Sequence, residues 1–271
     1  MSEITWYQHA RLRAIETISF WQGKINTRDI MEIFGVSRVI AQSDIHRYME
    51  RAAGNLIYQR SEKAYFVTNL FKNKITSGGI EEWVALDPTL SEYVEKPQFS
   101  IKTEITRPLI QAINKGVGIS IKYRSMEHPD GSERVLFPHI LVYTGFRWHV
   151  RAWCSVRNEF RDFNLARISE ARPSDLIISP EIAQSDDLLW NKKVEILLRA
   201  NPGLSKEEQL LIEFEFNMVN KKLKVISRAA LVMYTLQAYQ VDPSNYEEGY
   251  KQRLVLDNRD DITHYLWGVS V

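Results

Sequence analysis

The sequence feature that most restricts the fold is a pair of strand-like segments, 147–154 and 161–168, with a short polar stretch between them. In the first segment Arg147, His149 and Arg151 alternate with apolar and aromatic residues, and this period of two is typical of a β-strand. Such a strand lays an apolar face against a core and turns a basic face outward. Two interpretations of the basic face stay open: the solvated side of a half-buried sheet, or a surface that binds an anion.

Length and composition favour a cytoplasmic protein of two or three domains. The chain has 271 residues, of which 44% are hydrophobic and 25% are charged, a balance typical of globular domains. We see no secretory signal and no apolar run long enough to cross a bilayer. Because Cys154 is the single cysteine, neither an intrachain disulfide nor a cysteine-based metal cluster is predicted, and we expect a reducing compartment.

Charge is unevenly distributed along the chain, although the net value is only +1. Residues 101–172 contain 12 Lys and Arg against 7 Asp and Glu, whereas residues 173–271 contain 11 against 15. The central segment, which includes the basic strand, therefore suits an anionic ligand.

Capping signals predict a helix-turn-helix near the N-terminus. An apolar pattern of helical period covers residues 5–21, and Asn26 suits the N-cap of the next helix. Gly35 can end that helix in the left-handed conformation, and Ser37 can cap a third helix, 38–53. The inner stripe of this third helix is expected to contain Ile40, Ala41, Ile45 and Tyr48. Its outer face then presents Arg38, Gln42, Ser43, His46 and Arg47.

Two short strand patterns, 55–60 and 64–68, follow and predict a β-hairpin. Three helices and a hairpin make a winged helix, so double-stranded DNA is expected to contact the third helix and the hairpin tip. The residues predicted to bind DNA are Ser37, Arg38, Gln42, Ser43, Arg47, Arg60 and Lys63. A winged helix that serves only protein contacts is the alternative. We assign residues 1–70 to DNA binding and residues 71–104 to a linker with a short helix.

Residues 105–180 are predicted to form one helix and about five short strands. Patterns at 119–124 and 134–143 precede the two basic segments, and Pro138 interrupts the longer one. Consecutive short strands joined by turns favour a small, strongly bent antiparallel barrel. The predicted fold class of the chain is therefore α+β, with several domains.

Four motifs in this region resemble the WYL domain, an Sm-like β-barrel named after a Trp-Tyr-Leu tripeptide. They are Lys-Tyr-Arg at 122–124, Phe-Pro-His at 137–139, Arg-Trp-His-Val-Arg-Ala-Trp-Cys at 147–154 and Arg-Asp-Phe-Asn-Leu-Ala-Arg-Ile at 161–168. The tripeptide itself is Trp148-His149-Val150, so only the tryptophan matches. A winged helix before such a domain resembles WYL transcriptional regulators, and more narrowly the repressors found beside bacterial anti-phage systems such as BREX and CBASS islands.

The resemblance implies that the barrel senses an anionic ligand, either a nucleotide or a single-stranded nucleic acid. The matching ligand positions are Tyr123, His139, His149, Arg151, Arg161 and Arg167. Arginine offers a bidentate fork to phosphate, and aromatic rings stack on bases. His149 is expected to be about half protonated near pH 6.5. Trp148 and Phe163 are expected in the core, and an ion pair with Asp162 is the alternative role of Arg167.

Residues 188–271 are predicted to form a small α+β domain. The expected elements are a strand at 213–216, an apolar helix at 227–239 and a late strand at 253–256. The resemblance implies a role in dimerisation, and a helix-turn-helix protein commonly reads an inverted repeat as a homodimer. A self-contained lid is the alternative.

Enzyme chemistry is not predicted, and neither a cofactor nor a metal is expected. The sequence has no Gly-rich phosphate loop, HExxH or CxxC motif, and Cys154 is expected on the apolar face of its strand. The sequence thus favours a repressor of a phage-defence operon. The alternatives are an RNA-binding protein that uses the barrel, with the winged helix as a scaffold, and a nucleic-acid-processing enzyme.

Overall fold

The computed structural model describes residues 5–87, 89, 91–92, 97–177, 182–243 and 252–266. The chain divides into two compact units, Met1–Glu95 and Lys96–Val271. Among the described residues, none of the helices is both long and apolar enough to cross a membrane.

The first unit combines helices with a small antiparallel sheet. Its elements are α1 (Trp6–Gln22), β1 (Lys24–Ile25), α2 (Thr27–Phe34), α3 (Arg38–Arg51), β2 (Leu56–Gln59), β3 (Ala64–Val67) and α4 (Ile80–Leu86). The strands pair in the order β1-β3-β2, so the β2–β3 hairpin forms a wing. The predicted helix-turn-helix and hairpin are confirmed.

Caps place the turn between α2 and α3 where the sequence predicts it. The Asn26 side chain accepts hydrogen bonds from the N–H groups of Arg28 and Asp29, and the Asp29 carboxylate accepts one from the Asn26 N–H. Gly35 ends α2 with φ of 62°, a conformation that favours glycine because it has no β-carbon. The Ser37 hydroxyl then caps α3. These contacts satisfy the free donors at the helix ends.

The inner stripe of α3 differs from the prediction at one position. Ala41, Ile45 and Tyr48 are fully buried, as predicted. Ile40 is 43% exposed, because adjacent residues on a helix point about 100° apart. Asp44 occupies a buried place beside the stripe instead.

The second unit begins with α5 (Thr103–Lys115), which packs on an antiparallel sheet. The strands are β4 (Val117–Tyr123), β5 (Ser132–Tyr143), β6 (Trp148–Cys154), β7 (Glu159–Asn164) and β8 (Ile168–Ile177). They pair in the order β7-β6-β5-β4-β8. Ile105, Leu109 and Ala112 of α5 contribute to the core on one face of the sheet.

This sheet is open, and the closed Sm-like barrel expected from the sequence is not confirmed. Within the described ranges, β7 and β8 lie at opposite edges and do not pair with each other. The turn Leu165–Arg167 carries the chain away from β7, and β8 then pairs with β4. Each edge strand carries an exposed ion pair, Glu159–Arg161 on β7 and Glu170–Arg172 on β8.

The described residues within 188–266, which are 188–243 and 252–266, form what we call the C-terminal lobe. Its elements are α6 (Leu188–Asn191), β9 (Lys193–Ala200), α7 (Lys206–Glu215), β10 (Leu223–Arg228), α8 (Val232–Ala238), β11 (Leu254–Leu256) and α9 (Arg259–Ile262). The strands pair in the order β10-β9-β11, and the predicted late strand is confirmed as β11.

Two other predictions for the lobe are wrong. Residues 213–216 do not form a strand but lie at the end of α7, because Ser205 and Glu208 form a reciprocal capping box that starts this helix upstream. The predicted helix 227–239 begins only at Val232, since the residues before it complete β10 and a short 3-10 turn.

Candidate DNA-binding surface and candidate ligand cavity

The polar residues predicted to read DNA share one surface of α3. Gln42, Ser43 and Arg47 line a shallow groove of about 370 Å³, and Arg38 is exposed at the start of the same helix. Arg47 is partly buried, and its Nη1 donates to the side-chain carbonyl of Gln8 at 2.5 Å. The groove is open and polar, which suits contact with a duplex.

The remaining DNA-binding candidates lie at the two borders of this surface. The Ser37 hydroxyl accepts a hydrogen bond from the Ile40 N–H at 3.4 Å, so its structural task is to cap α3. Arg60 and Lys63 are exposed at the β2–β3 turn, where a wing meets the DNA backbone in proteins of this layout.

A hydrogen bond joins α3 to the wing. His46 Nε2 lies 3.2 Å from the Tyr65 hydroxyl, and the Tyr65 ring packs 4.9 Å from the ring of Tyr58. Burial raises the pKa of Tyr65, so its hydroxyl stays protonated and available for the hydrogen bond. His46, which the sequence placed on the outer face, thus links α3 to β3.

A buried ionic network joins the five-stranded sheet to the C-terminal lobe. Arg151 donates to both carboxylate oxygens of Asp187, through Nε at 2.6 Å and Nη2 at 2.8 Å, and to Asp162 through Nη1 at 3.1 Å. His139 Nε2 lies 3.0 Å from Asp187, and the Trp190 N–H donates to the same carboxylate at 3.0 Å. Asp187 therefore caps α6 and also contacts side chains of two strands, His139 on β5 and Arg151 on β6.

The pKa values of this network show that its charged form is the stable one. Burial alone would raise the pKa of Asp187, but hydrogen bonds from His139 and Arg151 outweigh it and lower the pKa to about 2. Burial acts against the Arg151 charge as well, yet Asp187 and Asp162 raise the net pKa of Arg151. Arg151 is 3% exposed, so we assign it to structure rather than to direct ligand contact.

A β-bulge explains why His139 reaches this network. Pro138 pairs with Ala152 and Ile140 pairs with Arg151, so His139 is the extra residue on β5. The bulge sits at the proline that the sequence marked as an interruption. His139 lines neither of the two cavities described next.

A cavity of about 740 Å³ lies between the sheet and the C-terminal lobe. Four of the predicted ligand residues line it: Tyr123, Arg151, Arg161 and Arg167. Among the lining residues that sequence reasoning missed are Arg134, Arg157 and Tyr234. Arginines and aromatic rings that line the same cavity suit an anion that carries planar groups.

His149 lines a neighbouring cavity of about 800 Å³, which shares Tyr123, Asp162, Arg167 and Tyr234 with the first. Its ring lies 5.3 Å from the ring of Tyr234. Burial lowers the pKa of His149 more than Asp162 raises it. Burial therefore favours the neutral form of the imidazole over the half-protonated form expected near pH 6.5.

Trp148 does not lie in the core, where the sequence analysis placed it. Its side chain is 43% exposed and packs 4.9 Å from the ring of Tyr143, which is also exposed. Phe163 is buried, as expected. Arg167 is exposed, and no ion pair with Asp162 is present in the described part of the chain.

The C-terminal lobe exposes an apolar face on α7. Leu210, Leu211 and Phe214 are 62%, 60% and 85% exposed, and their spacing places them on one side of the helix. Val219 and Ile226 are exposed in the same lobe. Large apolar side chains grouped in this way indicate a contact surface.

Three family models match the chain in succession. They are the winged helix-turn-helix domain of the BrxR transcriptional regulator at residues 7–87, the WYL domain at residues 104–173, and the C-terminal dimerization domain of the BrxR transcriptional regulator at residues 193–262. The first covers α1 to α4, the second the five-stranded sheet, and the third the lobe that contains α7.

Full-length relatives agree with these matches. The DNA-binding transcriptional repressor CapW of Escherichia coli (strain KTE188) is 32% identical over 275 residues, which cover 95% of this chain and 91% of that protein. The chain belongs to the CapW family. The Pseudomonas aeruginosa CapW repressor is equally similar, and that of Stenotrophomonas maltophilia is 28% identical over 98% of this chain and 94% of its own length.

The relatives are DNA-binding transcriptional repressors, and α3 lies inside the match to the winged helix-turn-helix domain. The exposed face of α7 lies inside the match to the dimerization domain. Neither the relatives nor the matched domains indicate an enzyme.

Proposed function

We propose that the chain is a repressor that binds an inverted-repeat operator as a homodimer, with α3 in the major groove and the wing on the phosphate backbone. The observation that carries this proposal is the exposed Arg38, Gln42 and Ser43 face of α3, whose start is capped by Ser37, within a chain similar to DNA-binding repressors. A glutamine on such a face can bind adenine bidentately, and an arginine guanine.

Selection from a randomised duplex library tests this proposal. The full chain is expected to enrich duplexes with two related half-sites, about 10 base pairs or a multiple apart, as helix-turn-helix dimers do. A chain that ignores duplex DNA and binds single-stranded RNA would replace the proposal by the RNA-binding alternative.

Dimerisation through α7 can be tested with Phe214→Asp. A carboxylate at this exposed position is expected to prevent apolar contact between two copies, so sedimentation should show a monomer. Operator affinity should then fall about 100-fold or more, since the second half-site no longer adds to binding. Val156→Asp, which changes another exposed apolar residue, should leave both properties unchanged. A Phe214→Asp chain that stays dimeric would contradict the assignment of this face.

We further propose that an anionic ligand, a nucleotide or a single-stranded nucleic acid, binds the 740 Å³ cavity and lowers operator affinity. The cavity places Arg134 and Arg161 of the sheet and Arg157 of the β6–β7 turn near Tyr234 of the lobe, so a ligand there would contact both. For this release the ligand must bind the DNA-free conformation more tightly, because equal affinity for both states shifts nothing.

Arg167→Ala tests the ligand site, because Arg167 lines both cavities and is exposed. Operator affinity of the variant should stay within about twofold of wild type, while release by mononucleotides or short oligonucleotides should weaken about tenfold, since a charge-assisted hydrogen bond is lost. Calorimetric titration with these probes measures the affinity. Arg172→Ala, at an exposed arginine outside both cavity linings, is the control. An unchanged response in Arg167→Ala would exclude this site.

The operon that the repressor controls is proposed to be a phage-defence operon. The support is the resemblance of the sequence to repressors beside anti-phage islands. A reporter driven by the promoter next to the gene, with and without the chain, tests it.

A further inference from the structure

Four side chains form a continuous line of polar contacts from α1 to α3. Arg11 Nε donates to Asp44 at 2.6 Å, and Gln8 Nε2 donates to the same carboxylate at 3.0 Å. The Gln8 carbonyl in turn accepts from Arg47 at 2.5 Å. Asp44 is 2% exposed, so the inner end of the line is buried and its outer end lies at the groove on α3.

The two charged partners of Gln8, Asp44 and Arg47, determine the orientation of its side-chain amide. A carboxylate only accepts hydrogen bonds, so Asp44 must face the NH₂ group of Gln8. The Gln8 carbonyl is then turned toward Arg47, which only donates. Arg11 balances the buried charge of Asp44, and the line therefore reaches Arg47 through a neutral acceptor.

We infer that Gln8 is a positioning residue that holds the Arg47 guanidinium ready for an operator phosphate without cancelling its charge. Arg47 has five N–H donors, and Gln8 uses one of them. An acid at position 8 would pair with the charge of Arg47, and it would lack the NH₂ group that donates to Asp44. An amide orients the Arg47 guanidinium without neutralising it. The free charge matters because a cation that contacts a phosphate releases counterions from the DNA, and this release drives binding.

The assignment to phosphate rather than to a base follows from position. Gln42 and Ser43 lie closer to the N-terminus of α3 than Arg47 does, and recognition helices contact base edges chiefly through their N-terminal residues. Arg47 lies beside α1, at the border of the groove, where the helix meets the backbone of a duplex. The inference rests on the proposed operator binding.

The salt dependence of operator affinity distinguishes the loss of Arg47 orientation from the loss of Arg47 charge. The probe is a duplex that wild type enriches from the randomised library. Arg47→Met should lower the slope of log affinity against log salt by about 0.9 per protomer, one phosphate contact. Gln8→Met should keep the slope and weaken affinity about 2- to 10-fold, because the freed arginine must be ordered on binding. Gln8→Glu should lower the slope as Arg47→Met does.

Two comparisons make the test decisive. In the Arg47→Met background, Gln8→Met should have no further effect, whereas additive losses would overturn the positioning role. Gln22→Glu places the same charge at the far end of α1, about 21 Å away along the helix, and should keep the wild-type slope. Retained operator binding with an unchanged slope in Arg47→Met would reject this inference alone. Failure of wild type to select any duplex would reject the proposed function itself.

Discussion

Replacing Glu16 with alanine is expected to destabilise the first unit by about 4 kcal/mol or more, which is exceptional for a single substitution. Glu16 is fully buried and accepts hydrogen bonds from the N–H groups of Lys74, Ile75 and Thr76 at 2.8 to 3.0 Å. The Tyr48 hydroxyl donates to it as well, at 3.0 Å. Alanine would leave these donors unsatisfied, at about 1–3 kcal/mol for each that stays buried.

Hydrogen exchange measures this effect where it arises. Amide protection at residues 74–76 should disappear in Glu16→Ala, and the unit should unfold at a lower temperature. Glu81→Ala, at an exposed glutamate on α4, should change neither. Wild-type protection in Glu16→Ala would show that water or other acceptors replace the carboxylate. Because Tyr48 belongs to α3, we also expect weaker operator binding in the destabilised variant.

Removing Asp187 is expected to destabilise the second unit by about 3–5 kcal/mol, since a buried ion pair loses one partner. Asp187→Ala leaves the buried Arg151 with Asp162 alone and removes the acceptor of His139. Urea unfolding followed by tryptophan fluorescence reports the change, because Trp190 lies in the network. The control is Asp186→Ala at the adjacent exposed aspartate. Equal stability of the two variants would contradict the role of the network.

Because the pKa of Asp187 is lowered on folding, we expect part of the free energy of unfolding to be lost in acid. The pKa falls from 3.8 to about 2 in the folded protein, so the folded state binds its proton less readily than the unfolded state. The contribution is fully present above pH 3.8 and is lost as the pH falls through 2, roughly 2 kcal/mol in all. The difference in unfolding free energy between wild type and Asp187→Asn should shrink over that range. A constant difference would exclude the ionised network.

Local signals explain why the winged helix was predictable. Asn26, Gly35 and Ser37 each act on a neighbour within four residues, so the sequence contains the whole interaction. The strands of the middle region follow from their period of two for the same reason. At 213–216 an alternation of only four residues led to the wrong prediction of a strand. The cap at Ser205 instead starts a helix that runs to Glu215.

The candidate site was less predictable because its contacts are distant in sequence. Asp187 lies 36 residues from Arg151, in a stretch without apolar periodicity, and no local pattern marks it as a partner. Tyr234 lies in a segment that signals only an apolar helix, and its place in both cavities depends on how the lobe packs. Alternation correctly grouped His149 with Arg151 but gave no measure of their burial.

The ion pairs on the edges of the open sheet have a consequence for solubility. An unpaired edge strand invites a strand from another molecule to add to it, which is a route to aggregation. On β7 and β8 an incoming strand would meet the exposed pairs Glu159–Arg161 and Glu170–Arg172, and Pro173 deprives β8 of one N–H donor. These charges and the proline discourage strand addition, so the open sheet is protected against growing from one molecule into the next.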